Sequence, residues 1–207
     1  MNTHYVIARE IDSAQLGHFS LAVQTGAITA AARTDEEILQ FRWAGATNRA
    51  VVYEIGLTGV IATTAFAVGA ISFKATAARA YTAAGSGGAA IAVTSDNMGT
   101  RTKKGNSSAA IRIATTTNLT AGTQSLDAND LGQLTTHSSG GVGAATPIIG
   151  SIYLPTTVLF KAAISDGQSP LYLRTDEGFV IRATVPATGV WTAGVYVKWA
   201  EVEPSGY

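Results

Sequence analysis

The fold class is decided by the stretch Glu177-Gly-Phe-Val-Ile-Arg-Ala-Thr-Val-Pro-Ala-Thr-Gly-Val-Trp191 and by its continuation, Thr192-Ala-Gly-Val-Tyr-Val-Lys-Trp-Ala-Glu-Val202. Every second residue is apolar from Phe179 to Ala183, and again from Val195 to Trp199. A period of two is typical of a half-buried antiparallel strand. The segment Pro186–Gly189 between the two strands predicts a tight turn. The chain therefore ends on two β-strands, and the rest of it is interpreted as all-β.

Outside this region, further strands are predicted from alternation or from β-branched and aromatic residues. They span residues 19–24, Leu39–Trp43, Ala50–Ile55, Ala65–Tyr81, Ala109–Thr115, Ile148–Leu154, Thr157–Lys161 and Leu171–Arg174. Strands of this number, with turn signals between them, predict an antiparallel jelly-roll-like sandwich or barrel of about eight strands. Thr34-Asp-Glu-Glu37 fits a helix capping box. The apolar run behind it is short, so we expect a turn of helix or a polar loop there.

No linker divides the chain, so we predict one β domain over residues 18–207 behind an N-terminal arm. Residues 1–17 show no clear period, and Gly17 closes this extended arm. Residues at about 94–137 are dominated by Thr, Ser, Asn, Gly and Ala. A long polar excursion inside a β domain is usually a functional loop or a disordered one. We interpret it as an insertion that reaches a neighbouring subunit.

The charge content of the chain indicates an assembled protein. Charged residues make up 14% of the 207 residues and the formal net charge is +0, whereas soluble proteins carry roughly 25% charged residues. A free monomer normally needs charge to stay soluble, so we infer that copies of the chain or a partner cover much of the surface. Zero net charge argues against a general nucleic-acid binder. The local basic cluster Arg101-Thr-Lys-Lys104 is interpreted as a solvated loop.

Targeting and redox signals are lacking. With 0 cysteines, disulfides and thiolate metal sites are excluded. The first residues show no signal peptide, and arginine and glycines interrupt the apolar run Ala75–Ala92, so no transmembrane helix or membrane partner is expected. We expect assembly in a cytoplasm.

Chemistry-bearing motifs fail on their spacing. Gly85-Ser-Gly-Gly-Ala-Ala90 matches a dinucleotide fingerprint but lacks the following helix and acidic residue. Asp127-Ala-Asn-Asp-Leu-Gly132 resembles a calcium loop whose oxygen ligands are missing at Leu131 and Ser138. The three histidines lie far apart, and no nucleophile-elbow motif occurs. No catalytic, metal-binding or cofactor-binding residue is predicted, and the protein is expected not to be an enzyme.

Four stretches resemble structural proteins of tailed bacteriophages. They are Phe41-Arg-Trp-Ala-Gly-Ala-Thr47, Leu119-Thr-Ala-Gly-Thr-Gln-Ser-Leu-Asp-Ala-Asn129, Glu177–Trp191 and Val197-Lys-Trp-Ala-Glu-Val202. The resemblance runs from about Leu39 onward, its last block is the most specific, and residues 1–17 carry none of it. It implies a capsid decoration (cement) protein with a jelly-roll-like core, located on the capsid surface of the virion.

Such a protein would bind the assembled major capsid protein and stabilise the expanded shell against internal DNA pressure. The resemblance also implies a homo-oligomer, with a trimer at three-fold positions favoured. Because this role depends on surfaces, we take apolar residues of the N-terminal arm and of the insertion, and two tryptophans, as candidates for a capsid or subunit interface. They are Tyr5, Ile7, Ile11, Trp43, Leu119, Leu126, Leu131 and Trp191.

Two other function classes stay open. A tail or baseplate adaptor could bind a surface sugar through Trp43, Trp191 and Trp199, although core or subunit-interface packing is the favoured reading of these aromatics. An enzyme would need a carboxylate pair brought together by the fold. No spacing in the sequence suggests such a pair, so an enzyme is the least favoured class.

Overall fold

The structure is a computed structural model that describes residues 16–29, 33–94, 105–138, 156–163 and 167–204. These residues form an all-β protein, as the sequence predicts. The strands are β1 Gly17–Gln24, β2 Arg33–Trp43, β3 Arg49–Thr64, β4 Gly69–Ala83, β5 Ala89–Ile91, β6 Ala109–Ile113, β7 Thr123–Ser138, β8 Thr157–Lys161, β9 Leu171–Leu173, β10 Glu177–Val185 and β11 Val190–Val202. The described part of the chain contains no helix long and apolar enough to cross a membrane.

The strands form two antiparallel sheets. Sheet A has the order β1-β11-β3-β8, and β9 also pairs with β3. Sheet B has the order β5-β6-β2-β10-β4-β7. The sheets pack as a sandwich and do not close into a barrel, so the sandwich form of the predicted fold class is the observed one.

The topology is that of a jelly roll. When β5, β6 and β9 are set aside, the eight remaining strands pair from the outside of the sequence inward: β1 with β11, β2 with β10, β3 with β8, and β4 with β7. Successive pairs lie alternately in sheet A and sheet B. One long antiparallel hairpin rolled into two sheets produces this order. The jelly-roll-like prediction is confirmed.

The two C-terminal strands do not pair with each other. β10 lies in sheet B between β2 and β4, whereas β11 lies in sheet A between β1 and β3. The predicted turn between them therefore carries the chain from one sheet to the other. Thr188 and Gly189 take the positive φ angles of 61° and 101° that this reversal requires. Hydrogen bonding of each strand to other segments explains why the sequence pattern showed two strands but not their partners.

Aromatic side chains from both sheets fill the space between them. Phe19 stacks on Trp199 with ring centroids 5.3 Å apart, and Phe41 stacks on Phe179 at 4.9 Å. Phe41 also meets Trp199 edge-on at 5.3 Å, which links sheet B to sheet A. Offset and edge-on pairs of this kind stabilise a core beyond the area that they bury. This aromatic layer sets the inward sides of β1, β2, β10 and β11.

Two local predictions are wrong. Thr34–Glu37 form part of β2 rather than a turn of helix or a loop, because Glu36 pairs with Ala183 of β10. The positive φ of Asp35, 51°, accompanies the irregular register there. Residues 123–137, predicted as part of a polar insertion, lie in β7 and pair along β4. The segment between β4 and β7 instead contributes β5 and β6, which extend sheet B beyond β2.

A sheet-edge strand needs only one apolar face, and β7 supplies it with Leu131 and Leu134, which pack against the core. Because β7 has few apolar residues, its sequence pattern was typical of a loop. The strand predicted at Ile148–Leu154 and all but the last two residues of the predicted arm lie outside the described residues.

Candidate interaction surface

The outer face of sheet A is the candidate interaction surface. Alternation turns Phe19, Val197 and their register partners into the core, so the intervening residues face outward. The outward set comprises His18, Ser20, Ala22, Gln24, Arg49, Val51, Tyr53, Glu54, Gly56, Thr58, Ile61, Val158, Lys161, Tyr172, Thr192, Gly194, Tyr196, Lys198, Ala200 and Val202. Small, hydroxylated and aromatic residues dominate this set. We call it the sheet A face.

One end of the sheet A face carries an apolar cluster separate from the main core. Val51, Ala200 and Val202 are buried there, and Tyr53 and Tyr172 pack against them. A second hydrophobic cluster on the outside of a sheet brings aromatic surface to the exterior. Tyrosine is among the residues enriched in the cores of protein interfaces.

The centre of the face contains a carboxylate with two donors. Tyr196 Oη donates to Glu54 Oε1 at 2.9 Å, and Lys198 Nζ donates to Glu54 Oε2 at 2.9 Å. Burial alone would raise the pKa of Glu54, but the bonds from Lys198 and Tyr196 hold it below its usual value. Burial and Glu54 raise the pKa of Tyr196 to about 12. Glu54 and Lys198 therefore cancel each other's charge.

The other end of the face is a shallow groove of about 300 Å³. None of its lining residues is charged: Ala22, Val23, Gln24, Thr58, Gly59, Ile61, Thr192 and Gly194. A Cβ on Gly194 would collide with Thr58 Oγ1, so the Thr58 side chain occupies the space beside Gly194 in the groove. Ile61 is 50% exposed at the groove, and Val158 is 46% exposed on the same face. Exposed aliphatic side chains beside an uncharged groove suit contact with another protein.

The outer face of sheet B differs because its charges are numerous and paired. The ion pairs there are Arg182–Asp130 at 2.9 Å, Lys74–Asp35 at 3.0 Å, Arg42–Asp176 at 2.8 Å, and Arg79 with Asp127 at 3.1 Å and Glu177 at 3.0 Å. Arg182 also donates to Thr76 Oγ1 at 2.9 Å. These groups satisfy one another across neighbouring strands. The outer face of sheet B thus carries a network of ion pairs, whereas the sheet A face carries the Glu54–Lys198 pair together with Lys161 and Arg49.

A buried polar cluster fastens the β4–β7 segment onto sheet B. Gln40 Nε2 and Gln124 Nε2 each donate to the Glu37 carboxylate at 2.6 Å. Gln40 Nε2 also donates to the carbonyl of Thr120 at 3.0 Å, and Gln40 Oε1 accepts from the amide of Gly85 at 3.2 Å. Burial raises the pKa of Glu37. Neutral amides rather than a cation thus hold this carboxylate.

A second buried carboxylate lies at one end of the sandwich. Glu201 is 3% exposed, and it accepts from the amide of Ser108 at 3.3 Å and from Asn48 Nδ2 at 3.2 Å. Burial raises its pKa, and the Ser107, Ser108 and Trp199 bonds lower it less. Glu201 therefore ties β11 to two connecting segments. None of the described ion pairs includes Glu201. We therefore assign Glu201 a structural role.

Most of the predicted interface residues lie elsewhere. Trp43 and Trp191 are 0% and 1% exposed, and Leu119 is 6% exposed; all three belong to the core and cannot offer side chains to a capsid or subunit interface. Burial of Trp43, Trp191 and Trp199 also removes them as a sugar-stacking platform. The interface assignments of Trp43, Trp191 and Leu119 are wrong because these side chains fill the space between the sheets, and the core packing favoured for the tryptophans is confirmed.

The remaining predicted interface residues divide into two groups. Leu126 and Leu131 are half-buried on β7, away from the sheet A face. Tyr5, Ile7 and Ile11 lie outside the described residues. Sequence analysis missed Ala22, Ile61 and Tyr196, which the structure places on the sheet A face. The alternate positions of β1, β3 and β11 form two sets, and these three residues belong to the outward set. Charged residues are rare in both sets, so charge did not distinguish the outward set in the sequence.

Among the residues that the structure describes, no group of three or more His, Cys, Asp and Glu side chains could hold a metal ion. No protein family, curated protein or solved structure matches the chain.

Proposed function

We propose that the protein is a non-enzymatic structural protein of a tailed-bacteriophage virion, most specifically a capsid decoration or cement protein. Its partner would be the assembled major capsid protein, and its effect would be to stabilise the shell. The observation that carries the proposal is the sheet A face, with its uncharged groove, exposed Ile61 and paired Glu54 and Lys198. The jelly-roll topology and the resemblance of four sequence stretches to phage structural proteins support it.

The mechanism is burial of a β surface with an uncharged groove at many equivalent positions. Apolar area removed from water contributes about 25 cal/mol per Å², and ordering costs reduce that gain for any single contact. A shell presents many equivalent binding sites. An oligomer that binds several of them at once gains avidity even when each single contact is weak. Self-association belongs to the proposal, with a trimer as the expected form, and the place of action is the capsid surface.

The direct test is co-sedimentation with expanded shells of the major capsid protein encoded by the same phage. Ile61→Glu places a charge in the groove at a half-exposed position, so the fold should tolerate it. Val68→Glu is the matched control, because Val68 is 65% exposed and lies in the β3–β4 connection outside the groove. We expect shell affinity to fall at least about tenfold for Ile61→Glu, since burying an unpaired charge is costly, and to stay unchanged for Val68→Glu.

Equal shell affinity of Ile61→Glu, Val68→Glu and the unmodified protein would refute the sheet A face as the shell-binding surface. A failure of the unmodified protein to bind any shell would refute the cement function itself. Binding to a host-surface polysaccharide in that case would favour the tail or baseplate adaptor instead.

A further inference from the structure

Two buried polar atoms at the base of the β4–β7 segment lack a protein partner. Tyr81 is 0% exposed, and its hydroxyl forms no hydrogen bond with any described residue. The same holds for the side-chain oxygen of Gln124, which is shielded from solvent. Buried side-chain oxygens nearly always have a partner, from the protein or from ordered water. Each of these two oxygens therefore needs a hydrogen-bond partner.

The two groups belong to one locality. A Cβ on Gly122 would lie 2.8 Å from Tyr81 Cε2, so the Tyr81 ring rests against Gly122. Gln124 follows Gly122 by two residues, at the start of β7. Gln124 Nε2 is committed to Glu37 at 2.6 Å. The same carboxylate acts on Tyr81, whose pKa is raised first by burial and then by Glu37.

We propose that one buried water molecule bridges Tyr81 Oη and Gln124 Oε1. The tyrosine hydroxyl donates to the water oxygen, and one water hydrogen is donated to the amide oxygen. The second water hydrogen is directed at the Glu37 carboxylate, which can accept more than the two amide bonds that it already receives. A polar site with two to four such partners is the setting in which internal water is retained.

The water site completes the polar cluster that joins the β4–β7 segment to sheet B. Gln40 holds Thr120 and Gly85 from one side of Glu37, and the water would connect Tyr81 and Gln124 on the other side. Tyr81 lies near the end of β4 and Gln124 near the start of β7, so the bridge spans both ends of the segment. This inference does not depend on the proposed virion function.

Thermal unfolding of Tyr81→Phe tests the proposal. If water pairs the hydroxyl, its removal leaves the water and Gln124 Oε1 short of a donor, and the Tm should fall by about 2 °C or more. If the hydroxyl is simply unpaired, Tyr81→Phe should leave the Tm unchanged or raise it, and the proposal would be overturned. Gln133→Leu, at an exposed position of β7, is the control for the general effect of replacing a polar side chain with an apolar one.

A crystal structure of the unmodified protein gives the independent readout. We expect an ordered water within hydrogen-bond distance of both Tyr81 Oη and Gln124 Oε1, and its loss in crystals of Tyr81→Phe. A direct Tyr81–Gln124 hydrogen bond, or density that lacks the water at high resolution, would overturn the proposal whatever the Tm result.

Discussion

Lys198 Nζ on β11 lies 2.9 Å from Glu54 Oε2 on β3, and the two residues are register partners across sheet A. Tyr196 Oη donates a hydrogen bond to the other oxygen of the same carboxylate, Glu54 Oε1. Three side chains thus remove one negative and one positive charge from the centre of the sheet A face. Sheet B keeps its charges on the outside in ladders such as Arg182 with Asp130. This difference between the two faces is the physical basis for assigning the sheet A face to partner binding.

Glu54→Gln should lower the free energy of unfolding at neutral pH. It should also make that free energy less dependent on acidification. The folded pKa of Glu54 is lowered, so its contribution is present above the unfolded value near 4.5 and is lost as pH falls through the folded pKa. Lys198 is 41% exposed, so solvent screening limits the effect to about 0.2–1 kcal/mol. Urea unfolding at neutral pH and near pH 3 measures it. Equal stability differences at both pH values would contradict the assignment.

Glu201→Gln should show the opposite pH trend. Burial raises the folded pKa of Glu201, so its stabilising contribution is complete below the unfolded value near 4.5 and is lost as pH rises through the folded pKa. An amide keeps an acceptor for the Ser108 amide and carries no charge to bury. The stability of Glu201→Gln relative to the unmodified protein should therefore increase from about pH 5 to pH 8 in urea unfolding. A relative stability that falls over this range would show that the ionised carboxylate is favoured.

Trp191→Ala should act on folding rather than on partner binding. Trp191 packs edge-on against Phe73 at 5.9 Å and tilted against Phe66 at 6.3 Å in the core. Truncation of a buried tryptophan costs about 3–5 kcal/mol. Chemical unfolding should show this loss, whereas Ile61→Ala, at an exposed position, should cost far less. A stable Trp191→Ala protein that no longer binds shells would instead restore Trp191 as an interface residue.

Gly178→Ala should destabilise the protein by about 1–3 kcal/mol or more, because cores tolerate added atoms poorly. A Cβ on Gly178 would collide with the carbonyl oxygen of Phe41 on β2 and lie 3.0 Å from Tyr81 Cδ1. Gly178 therefore lets β10 pair closely with β2 beneath the Tyr81 ring. Thermal or urea unfolding measures the loss. Unchanged stability would mean that the β2–β10 pairing relaxes freely.

Much of the fold could be predicted because strand alternation is a local signal. Phe179–Ala183 and Val195–Trp199 showed their inward positions directly, and the number of strands indicated a jelly-roll-like sandwich. Sheet membership could not be predicted for β10 and β11, because pairing partners are set by contacts distant in sequence. β7 was missed because few of its residues are apolar. The strand conformation of Thr34–Glu37 was missed because a capping box was expected there, whereas Asp35 forms ion pairs across strands.

The candidate surface was less predictable than the fold. Trp43 and Trp191 attracted attention as large aromatics, yet size favours burial between the sheets. Ala22, Gly194 and Thr58 line the groove because they are small, and small residues give no sequence signal of a surface. Only the structure shows that a row of such residues faces outward beside Ile61.

The most direct test of the central claim is cysteine footprinting on assembled shells, which the chain permits because it has 0 cysteines of its own. Ala22→Cys places a single thiol on the sheet A face, and Ala128→Cys places one at an exposed position of β7 in sheet B. Maleimide should label both variants in free protein. On shells, we predict that Ala22→Cys becomes protected while Ala128→Cys stays reactive. Protection of Ala128→Cys alone, or full labelling of Ala22→Cys in shell-bound protein, would contradict the account.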